Sequence, residues 1–385
     1  MSGTGQKNYD AIIAGGGLIG CAIALELARN GLRVALFDAQ EPGREASWAS
    51  AGILSPAPEN PGMITMVSIG KASLAGYPEF IAQVEELSGM DTGFRAKGTV
   101  EAIFSNHARE ELSTIVALHH GLGLAAEAIS ANEARELEPA ISEELEAAVL
   151  RPDEASVDNR LLVGALLQAA RNNGVEIFAG AGVDAIWREG SACRGAIVAE
   201  KKIGAAHTII AAGCFSSRIA GVELYAPVRP AKGQIVSLHC GAARIERVLW
   251  SERIYLVPRN DGRILVGATV EHVGYDKMVT AGGVRANLDA AIELAPILSC
   301  ASIEETWAGL RPDTPDHLPI LGLTDIEGLL IATGHYRSGV LLTPITAKLI
   351  AEMVLGKTSS VDCDRFSPMR FKAALGSTQA NRTTN

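Results

Sequence analysis

The stretch that decides the fold runs from Tyr9 to Asp38 and reads YDAIIAGGGLIGCAIALELARNGLRVALFD. An apolar run at 11–14 meets a glycine-rich turn, and a helix-like stretch follows to Asn30. A second apolar run, 34–37, then ends at the acidic Asp38. Strand, glycine turn, helix, strand and acid in this order are typical of a βαβ unit that binds a dinucleotide.

Each part of this unit has a physical role. Gly15 lets the chain turn sharply off the strand, and Gly17, which has no Cβ, lets a pyrophosphate approach the backbone. Gly20 lets the helix pack closely against the sheet, while the helix N-terminus offers free N–H groups and the positive end of its dipole. Asp38 lies where a carboxylate accepts hydrogen bonds from ribose hydroxyls. The stretch therefore predicts a nucleotide site.

A targeting segment is the alternative interpretation of the same stretch. Residues 11–28 are apolar except for Glu26, and Lys7 precedes them. Four glycines, an internal charge and the lack of a clear cleavage site argue against a signal peptide. A membrane span needs about 20 apolar residues. We therefore expect no membrane association.

Composition narrows the classes of function. The chain has 385 residues, of which 48% are hydrophobic, so it can bury a large core and form two or three domains, or two interleaved ones. A net charge of −10 without a long basic run argues against a nucleic-acid partner. The six cysteines show neither CxxC nor zinc spacing. We expect a reduced, cytoplasmic protein without a structural metal.

Other segments carry further patterns. The segment 43–56 is rich in small residues, which permit close backbone approach to a flat ligand. A predicted strand closes at Gly213, and another at 329–333 runs into a glycine-bearing turn before a helix over 341–355. The patterns also predict helices and strands elsewhere, among them helices over 64–89, 108–121, 130–137, 160–172 and 284–295.

These pieces together resemble the FAD-dependent D-amino acid oxidase and glycine oxidase family, most closely its bacterial glycine oxidases of thiamine biosynthesis. The matching segments span nearly the whole chain in order: Gly15–Gly20, Ser47–Leu54, Lys232–Gln234, Tyr255–Arg259, Val266–Thr269, Trp307–Pro312 and Gly334–Leu341. The resemblance is therefore more specific than any one motif.

The resemblance implies an α/β fold in which a Rossmann-like FAD-binding domain is interleaved with a substrate domain built on a mostly antiparallel sheet. The FAD domain would comprise 9–85, 150–225 and 300–375, and the substrate domain 86–149 and 226–299. The tails, 1–8 and 376–385, are polar, and we expect them to be disordered.

The resemblance also implies contacts with a non-covalent FAD. Leu18 and Ile19 would lie at the pyrophosphate, and Val183 at the adenine. Gly213 would also contact the cofactor, because its strand lies next to the first nucleotide-binding unit in such proteins. Asp38 and Ala39 would contact the adenosine ribose. Ala46 and Ser47 would contact the phosphates. Ala51, Gly52 and Ile53 would contact the isoalloxazine. The pyrimidine end would be wrapped by His335, Tyr336, Arg337, Ser338, Gly339, Val340 and Leu341, with a helix beginning near Gly339.

For the substrate, the resemblance implies that Arg311 binds a carboxylate bidentately, that Tyr255 donates its hydroxyl to it, and that Arg337 lies close by. The implied reaction is hydride transfer from the Cα of a small amino acid to flavin N5, with dioxygen as the electron acceptor. It requires no catalytic acid or base from the protein. A homo-oligomer is also implied.

One position departs from the family pattern. Arg253 stands where the related glycine oxidases carry a histidine, and a cation there would favour a second anionic group or reach solvent. Alternatives stay open at this point: a D-amino acid or sarcosine oxidase, a dehydrogenase of the same superfamily, or a non-catalytic FAD-binding subunit. The residues do not rank glycine against sarcosine or small D-amino acids.

Overall fold

A computed structural model of the chain describes residues 8–58, 61–105, 107–241 and 244–372. The predicted tails lie outside these residues except for Asn8. The described part contains eight α-helices: α1 Leu18–Arg29, α2 Ala46–Ala49, α3 Val67–Ser88, α4 Ala108–Gly121, α5 Ala131–Leu137, α6 Asn159–Asn172, α7 Ala281–Leu294 and α8 Thr343–Val354. It also contains 3-10 turns at Pro61–Met66, Gly213–Arg218, Pro296–Cys300 and Asp364–Phe366.

The strands of the described part form two large sheets and one two-stranded ribbon. In chain order the first nine are β1 Tyr9–Ala14, β2 Val34–Phe37, β3 Ile53–Leu54, β4 Thr99–Ile103, β5 Glu127–Ser130, β6 Ala147–Arg151, β7 Ala155–Ser156, β8 Glu176–Phe178 and β9 Ala185–Glu189. The others are β10 Ala192–Val198, β11 Lys201–Ile210, β12 Arg229–His239, β13 Val248–Trp250, β14 Tyr255–Pro258, β15 Arg263–Gly267, β16 Ser302–Asp313, β17 Ile320–Leu323 and β18 Leu329–Thr333.

The first large sheet has the order β17-β18-β11-β1-β2-β8, in which all neighbours are parallel except β17 and β18. Strands β2 and β18 are buried at every position, as expected for parallel strands covered on both faces. Helix α1 packs against α6 and α8 on one face. On the other side, β9 and β10 continue the N-terminal half of β11 as an antiparallel meander.

The second large sheet has the order β16-β12-β15-β14-β13-β4-β6-β5 and is antiparallel except for the β13–β4 pair. Helix α7 covers its outer face through Ala290, Ala291 and Leu294. The predicted fold class is confirmed. The domain boundaries stay a prediction, and β16 pairs with β12 of this sheet although it follows residue 300.

A cavity of about 1630 Å³ lies between the two sheets. On one side it is lined by the carboxyl ends of parallel strands, through Ala14, Phe37, Ala211 and Thr333. This is the edge at which open α/β sheets bind ligands. On the other side it is lined by the inner face of the second sheet.

Candidate active site

The glycine turn closes the nucleotide end of the cavity. Gly15 has φ +111°, and a Cβ there would lie 2.5 Å from the carbonyl oxygen of Ala211, so the position admits only glycine. Gly17 caps α1, and the N–H of Leu18 donates to Ser47 Oγ at 2.9 Å. At Gly20 a Cβ would lie 1.9 Å from the Gly15 carbonyl oxygen, so this glycine allows helix and turn to touch.

All the predicted cofactor residues line this one cavity, except Gly20, which lies behind the turn. The lining residues are Gly15, Gly17, Leu18, Ile19, Asp38, Ala39, Ala46, Ser47, Ala51, Gly52, Ile53, Val183, Gly213, His335, Tyr336, Arg337, Ser338, Gly339, Val340 and Leu341. They come from distant parts of the chain, and the fold brings them together.

Asp38 follows the second parallel strand and faces the cavity. Its Oδ2 accepts from the Gly16 N–H at 2.7 Å and its Oδ1 from the Gln40 N–H at 2.9 Å. Burial raises the pKa of this carboxyl, and the two N–H bonds oppose that rise. The carboxylate is thus held in place with lone pairs left for hydroxyl donors.

The turn after β18 encloses the opposite end of the cavity. His335 is fully buried, and burial lowers its pKa to about 3. Its Nε2 lies 3.1 Å from Thr346 Oγ1, so the ring is neutral and engaged at neutral pH. The prediction that a helix begins near Gly339 is wrong by four residues. Residues up to Leu342 form a turn, and α8 begins at Thr343, with Pro344 in its first turn.

Arg311 and Tyr255 lie on β16 and β14 of the second sheet, separated by β12 and β15. Each intervening strand contributes a glycine at the crossing. A Cβ on Gly233 would lie 2.3 Å from Arg311 Nη1, and one on Gly267 would lie 2.8 Å from the Tyr255 hydroxyl. Both side chains therefore lie flat on the sheet. Sequence reasoning noted the two motifs but missed this role of their glycines.

The guanidinium of Arg311 is held by a hydrogen bond to a backbone carbonyl and not by an ion pair with a carboxylate of the described residues. Its Nη1 donates to the carbonyl oxygen of Thr269 at 3.1 Å. Among the described residues no carboxylate forms an ion pair with it, and the side chain lines the cavity. An arginine in this state is suited to receive a carboxylate from outside the protein.

The other two predicted substrate residues lie nearby. Tyr255 stacks on Trp250 with ring centroids 5.7 Å apart, and both line the cavity. Arg337 also lines it, with its guanidinium 5.5 Å from the Tyr336 ring centroid. Trp250 was not predicted as a site residue because a single aromatic in a short strand is more typical of core packing.

At the cavity mouth, Arg253 forms an ion pair with Glu293 of α7. Both side chains are about half exposed, at 57% and 45%. Arg253 is thus partnered rather than a lone cation. A second pair farther along the wall joins Arg151 to Glu101 and, at 3.5 Å, to Glu154. Glu293 and Glu101 come from distant elements, so nothing in the local sequence indicated these two partners.

The described residues lack two kinds of site. They contain no group of three or more His, Cys, Asp or Glu side chains suited to a metal ion. None of their helices is both long and apolar enough to cross a lipid bilayer.

The residues present fit FAD. Gly15 and Gly52, with φ +111° and +73°, keep the turn and the small-residue segment open where any Cβ would clash with backbone. The cavity exceeds the roughly 300–1,000 Å³ of a pocket for one ligand, so it has room for a dinucleotide and a small substrate. When bound, FAD supplies a two-electron acceptor.

Known proteins resemble this chain over nearly its full length. The bifunctional protein ThiO/ThiG of Synechocystis sp. is 35% identical over 95% of this chain, which spans about half (54%) of that relative. Glycine oxidase from Geobacillus kaustophilus superposes with a TM-score of 0.89 at 32% identity, covering 94% of this chain and 98% of the other. Iminodiacetate oxidase from Chelativorans sp. gives 0.84 at 28%, covering 93% and 98%.

The family model for FAD-dependent oxidoreductases named DAO matches residues 10–353. The resemblance stated from the sequence motifs is confirmed. The chain belongs to the DAO family of FAD-dependent oxidoreductases and is an enzyme that uses FAD.

Proposed function

We propose that this enzyme oxidatively deaminates glycine or a similarly small amino acid. The observation that carries the proposal is Arg311, which faces the cavity beside Tyr255 and has no carboxylate partner among the described residues. A guanidinium that is free to bind a carboxylate, next to a cavity for a dinucleotide, favours a small substrate with one carboxylate.

In this proposal Arg311 binds the substrate carboxylate through its guanidinium fork, and the Tyr255 hydroxyl donates to the same group. Two donors fix both position and orientation, so the Cα hydrogen is directed toward the cofactor end of the cavity. Orientation of this kind contributes about 7–11 kcal/mol in favourable cases. Arg337, which lines the same cavity, is the third substrate residue of the proposal.

The reaction balances as one amino acid, dioxygen and water giving a 2-oxo acid, ammonia and hydrogen peroxide. The C–H bond at Cα breaks with its electron pair, and the amine lone pair forms the C=N bond of an imine. The amine must therefore be neutral when hydride leaves. Water then hydrolyses the imine, and for glycine the product is glyoxylate.

The protein supplies no acid or base for this step in the proposal. His335 lines the cavity, yet its pKa is lowered to about 3 and its Nε2 faces Thr346. It therefore does not take the substrate's ammonium proton, which passes to water before hydride transfer. Positioning and desolvation carry the rate enhancement.

A substrate panel tests the proposal. Purified protein is mixed anaerobically with glycine, sarcosine, D-alanine and D-proline, and bleaching of the visible flavin absorbance is followed. Aerobic turnover is then scored for peroxide and ammonia. Bleaching by none of the four would contradict the proposal. Bleaching without peroxide would favour a dehydrogenase that passes electrons to a quinone or partner.

Arg311→Lys checks the carboxylate role directly. We expect the apparent affinity for glycine to fall at least about tenfold, because a point charge replaces a bidentate fork. Flavin content and the visible spectrum should not change. Arg285→Lys, on the exposed Arg285–Asp289 pair of α7, is the matched control. Equal glycine KM values in Arg311→Lys and wild type would exclude the role.

We also propose that the product serves thiazole formation in thiamine biosynthesis, which the likeness to ThiO/ThiG supports. In that setting the imine itself would be consumed.

Expression in a bacterial strain that lacks its own glycine oxidase should restore growth without added thiazole. A homo-oligomer is the further expectation, and light scattering of the holoenzyme measures it.

A further inference from the structure

The segment 47–52, which lines the cofactor cavity, is held through its carbonyl oxygens. Nearly every one of them accepts a hydrogen bond from a donor outside the segment. The bonds are Asn159 Nδ2 to Ser47 O at 2.8 Å and to Trp48 O at 2.9 Å, Trp307 Nε1 to Ala49 O at 3.0 Å, Arg259 Nη2 to Ala51 O at 2.9 Å, and Val157 N to Gly52 O at 2.9 Å.

Two of these donors belong to the second sheet. Arg259 follows Tyr255 by four residues at the β14–β15 hairpin, and Trp307 precedes Arg311 by four residues on β16. The β14–β15 hairpin and strand β16, which carry Tyr255 and Arg311, thus also carry the donors that bind segment 47–52.

Both donors are fixed by their surroundings. Arg259 and Trp307 are each 6% exposed. The guanidinium of Arg259 also donates to Val157 O at 3.1 Å and to Asn159 Oδ1 at 2.8 Å. Its Nε lies 3.5 Å from Asp158 Oδ2, so the buried charge is compensated.

The indole of Trp307 is held from the other side by Arg160. The Arg160 guanidinium lies 3.5 Å from the ring centroid of Trp48 and 4.4 Å from that of Trp307. The two indoles meet edge to face with centroids 5.7 Å apart. A cation between two aromatic rings adds stability to that geometry, so Trp307 has little freedom to turn away from Ala49.

We propose that Arg259 and Trp307 are positioning residues that set the distance between the substrate carboxylate anchor and the bound flavin. The inference rests on the proposed function for the role of Arg311 and Tyr255. Neither residue binds substrate. Each binds the 47–52 segment from a position four residues along the chain from Tyr255 or Arg311.

The distance matters because transfer needs reacting atoms about 3–3.5 Å apart, and a misplacement of about 1 Å costs as much as about 100-fold in rate. A residue that only stabilises the fold changes flavin binding and melting temperature. A residue that sets this distance changes the rate of flavin reduction at saturating substrate, while the dissociation constants for the substrate carboxylate and for FAD stay unchanged.

The experiment uses the holoenzymes of Trp307→Phe and Arg259→Lys, which lose one donor each and keep most of the volume. Stopped-flow absorbance gives the limiting rate of flavin reduction by glycine under anaerobic conditions. Titration with glycolate, a carboxylate without the amine, is followed in the visible flavin spectrum and gives the Kd of the carboxylate site formed by Arg311 and Tyr255. Fluorescence titration gives the Kd for FAD, and thermal melting reports folding.

We expect limiting reduction to slow by about tenfold or more in both variants, with Kd for glycolate and for FAD within about twofold of wild type. Arg263→Lys is the hairpin control, because its guanidinium reaches Asp158 and Asp261 but not the segment. Trp187→Phe, on β9, is the indole control, because Trp187 does not line the cavity. In both control variants, glycine should reduce the flavin at the wild-type rate.

Reduction at the wild-type rate in both variants overturns the inference. So does slowing that merely follows lost FAD occupancy, since that marks a structural role. The two variants lie on different strands, so misfolding of one leaves the other as a test. If wild type is not reduced by glycine or by any amino acid of the panel, the proposed function fails first, and that outcome is visible before any variant is compared.

Discussion

Arg253 and Glu293 decide the charge at the cavity mouth. The cation was expected to favour a second anionic group on the substrate or to reach solvent, and the structure pairs it with a carboxylate. Glu252 lines the same region, and Glu101 lies on the wall beyond Trp250. With Arg253 compensated, the mouth does not present net positive charge to a second carboxylate.

Glu293→Gln should release Arg253. We expect kcat/KM for iminodiacetate, relative to glycine, to rise by about fivefold, since an uncompensated charge at 4 Å in a solvated site is worth about 1 kcal/mol. Steady-state peroxide assays with both substrates measure the ratio.

Asp289→Asn is the matched control on the same helix. Asp289 pairs with Arg285 at 3.2 Å, as Glu293 pairs with Arg253, and it does not line the cavity. A similar rise of the ratio in this variant would show that the effect comes from net charge and not from the pair at the mouth.

At the scale of elements, local patterns succeeded where one segment determines its own structure. Helix α4, at Ala108–Gly121, and strand β18, at Leu329–Thr333, have the predicted bounds. Ser130 caps helix α5 in a local capping box: the Glu133 N–H donates to the serine Oγ, and the Glu133 carboxylate accepts from the Ser130 N–H.

Strand β16 shows where local patterns fail. The local sequence around Arg311, with Gly309 two residues before it and Pro312 directly after it, is more typical of a loop. It lies instead in a twelve-residue strand that pairs with β12 from Arg229 to His239. Pairing of this length comes from a strand more than sixty residues away in sequence, and such tertiary contacts override local β propensity.

The glycines beneath the anchors give an element-scale prediction. Gly233→Ala places a Cβ 2.3 Å from Arg311 Nη1 and so lifts the guanidinium off β12. We expect kcat/KM for glycine to fall by at least about tenfold, mainly through KM. Steady-state kinetics and flavin content are the measurements.

Gly76→Ala is the control for adding one methyl group. A Cβ at this position of α3 meets nothing within 4 Å. Glycine kinetics should not change, and the helix should gain about 0.5–1 kcal/mol of stability. A normal KM in Gly233→Ala would mean that Arg311 does not need the sheet surface beneath it.

At the scale of the whole molecule, the cavity depends on three chain segments that meet: 15–20, 46–53 and 334–341. The first predicts a nucleotide site from its own pattern, and the small residues of the second indicate close approach of a flat ligand. That all three form one FAD site followed only from the family resemblance, because parallel pairing of β1 with β11, and of β11 with β18, joins strands far apart in sequence. Sequence spacing alone does not encode such partners.

Whether the flavin is covalently attached depends on which nucleophilic side chains line the whole cavity. Cys214 is the one cysteine that lines the cavity within the described residues, and burial raises its pKa to about 12. It therefore stays a thiol, and it follows Gly213 on the first-sheet side. We predict that acid precipitation releases the flavin into the supernatant.

The measurement is the absorbance of supernatant and pellet after acid treatment, with a flavin-to-protein ratio near one. Free FAD should also raise the melting temperature in proportion to the logarithm of its concentration, because it binds only the folded chain. A yellow pellet after washing would mean that the attachment is covalent.

The flat arrangement of Arg311 and Tyr255 on Gly233 and Gly267 has a consequence for how this enzyme can acquire new substrates. Backbone lies directly beneath these two side chains, so the pocket cannot be made deeper at this point while both Arg311 and Tyr255 are kept. Variants can widen the pocket only sideways, along the row of residues through Trp250 to Glu101. Longer substrates will be accommodated by extending toward that wall.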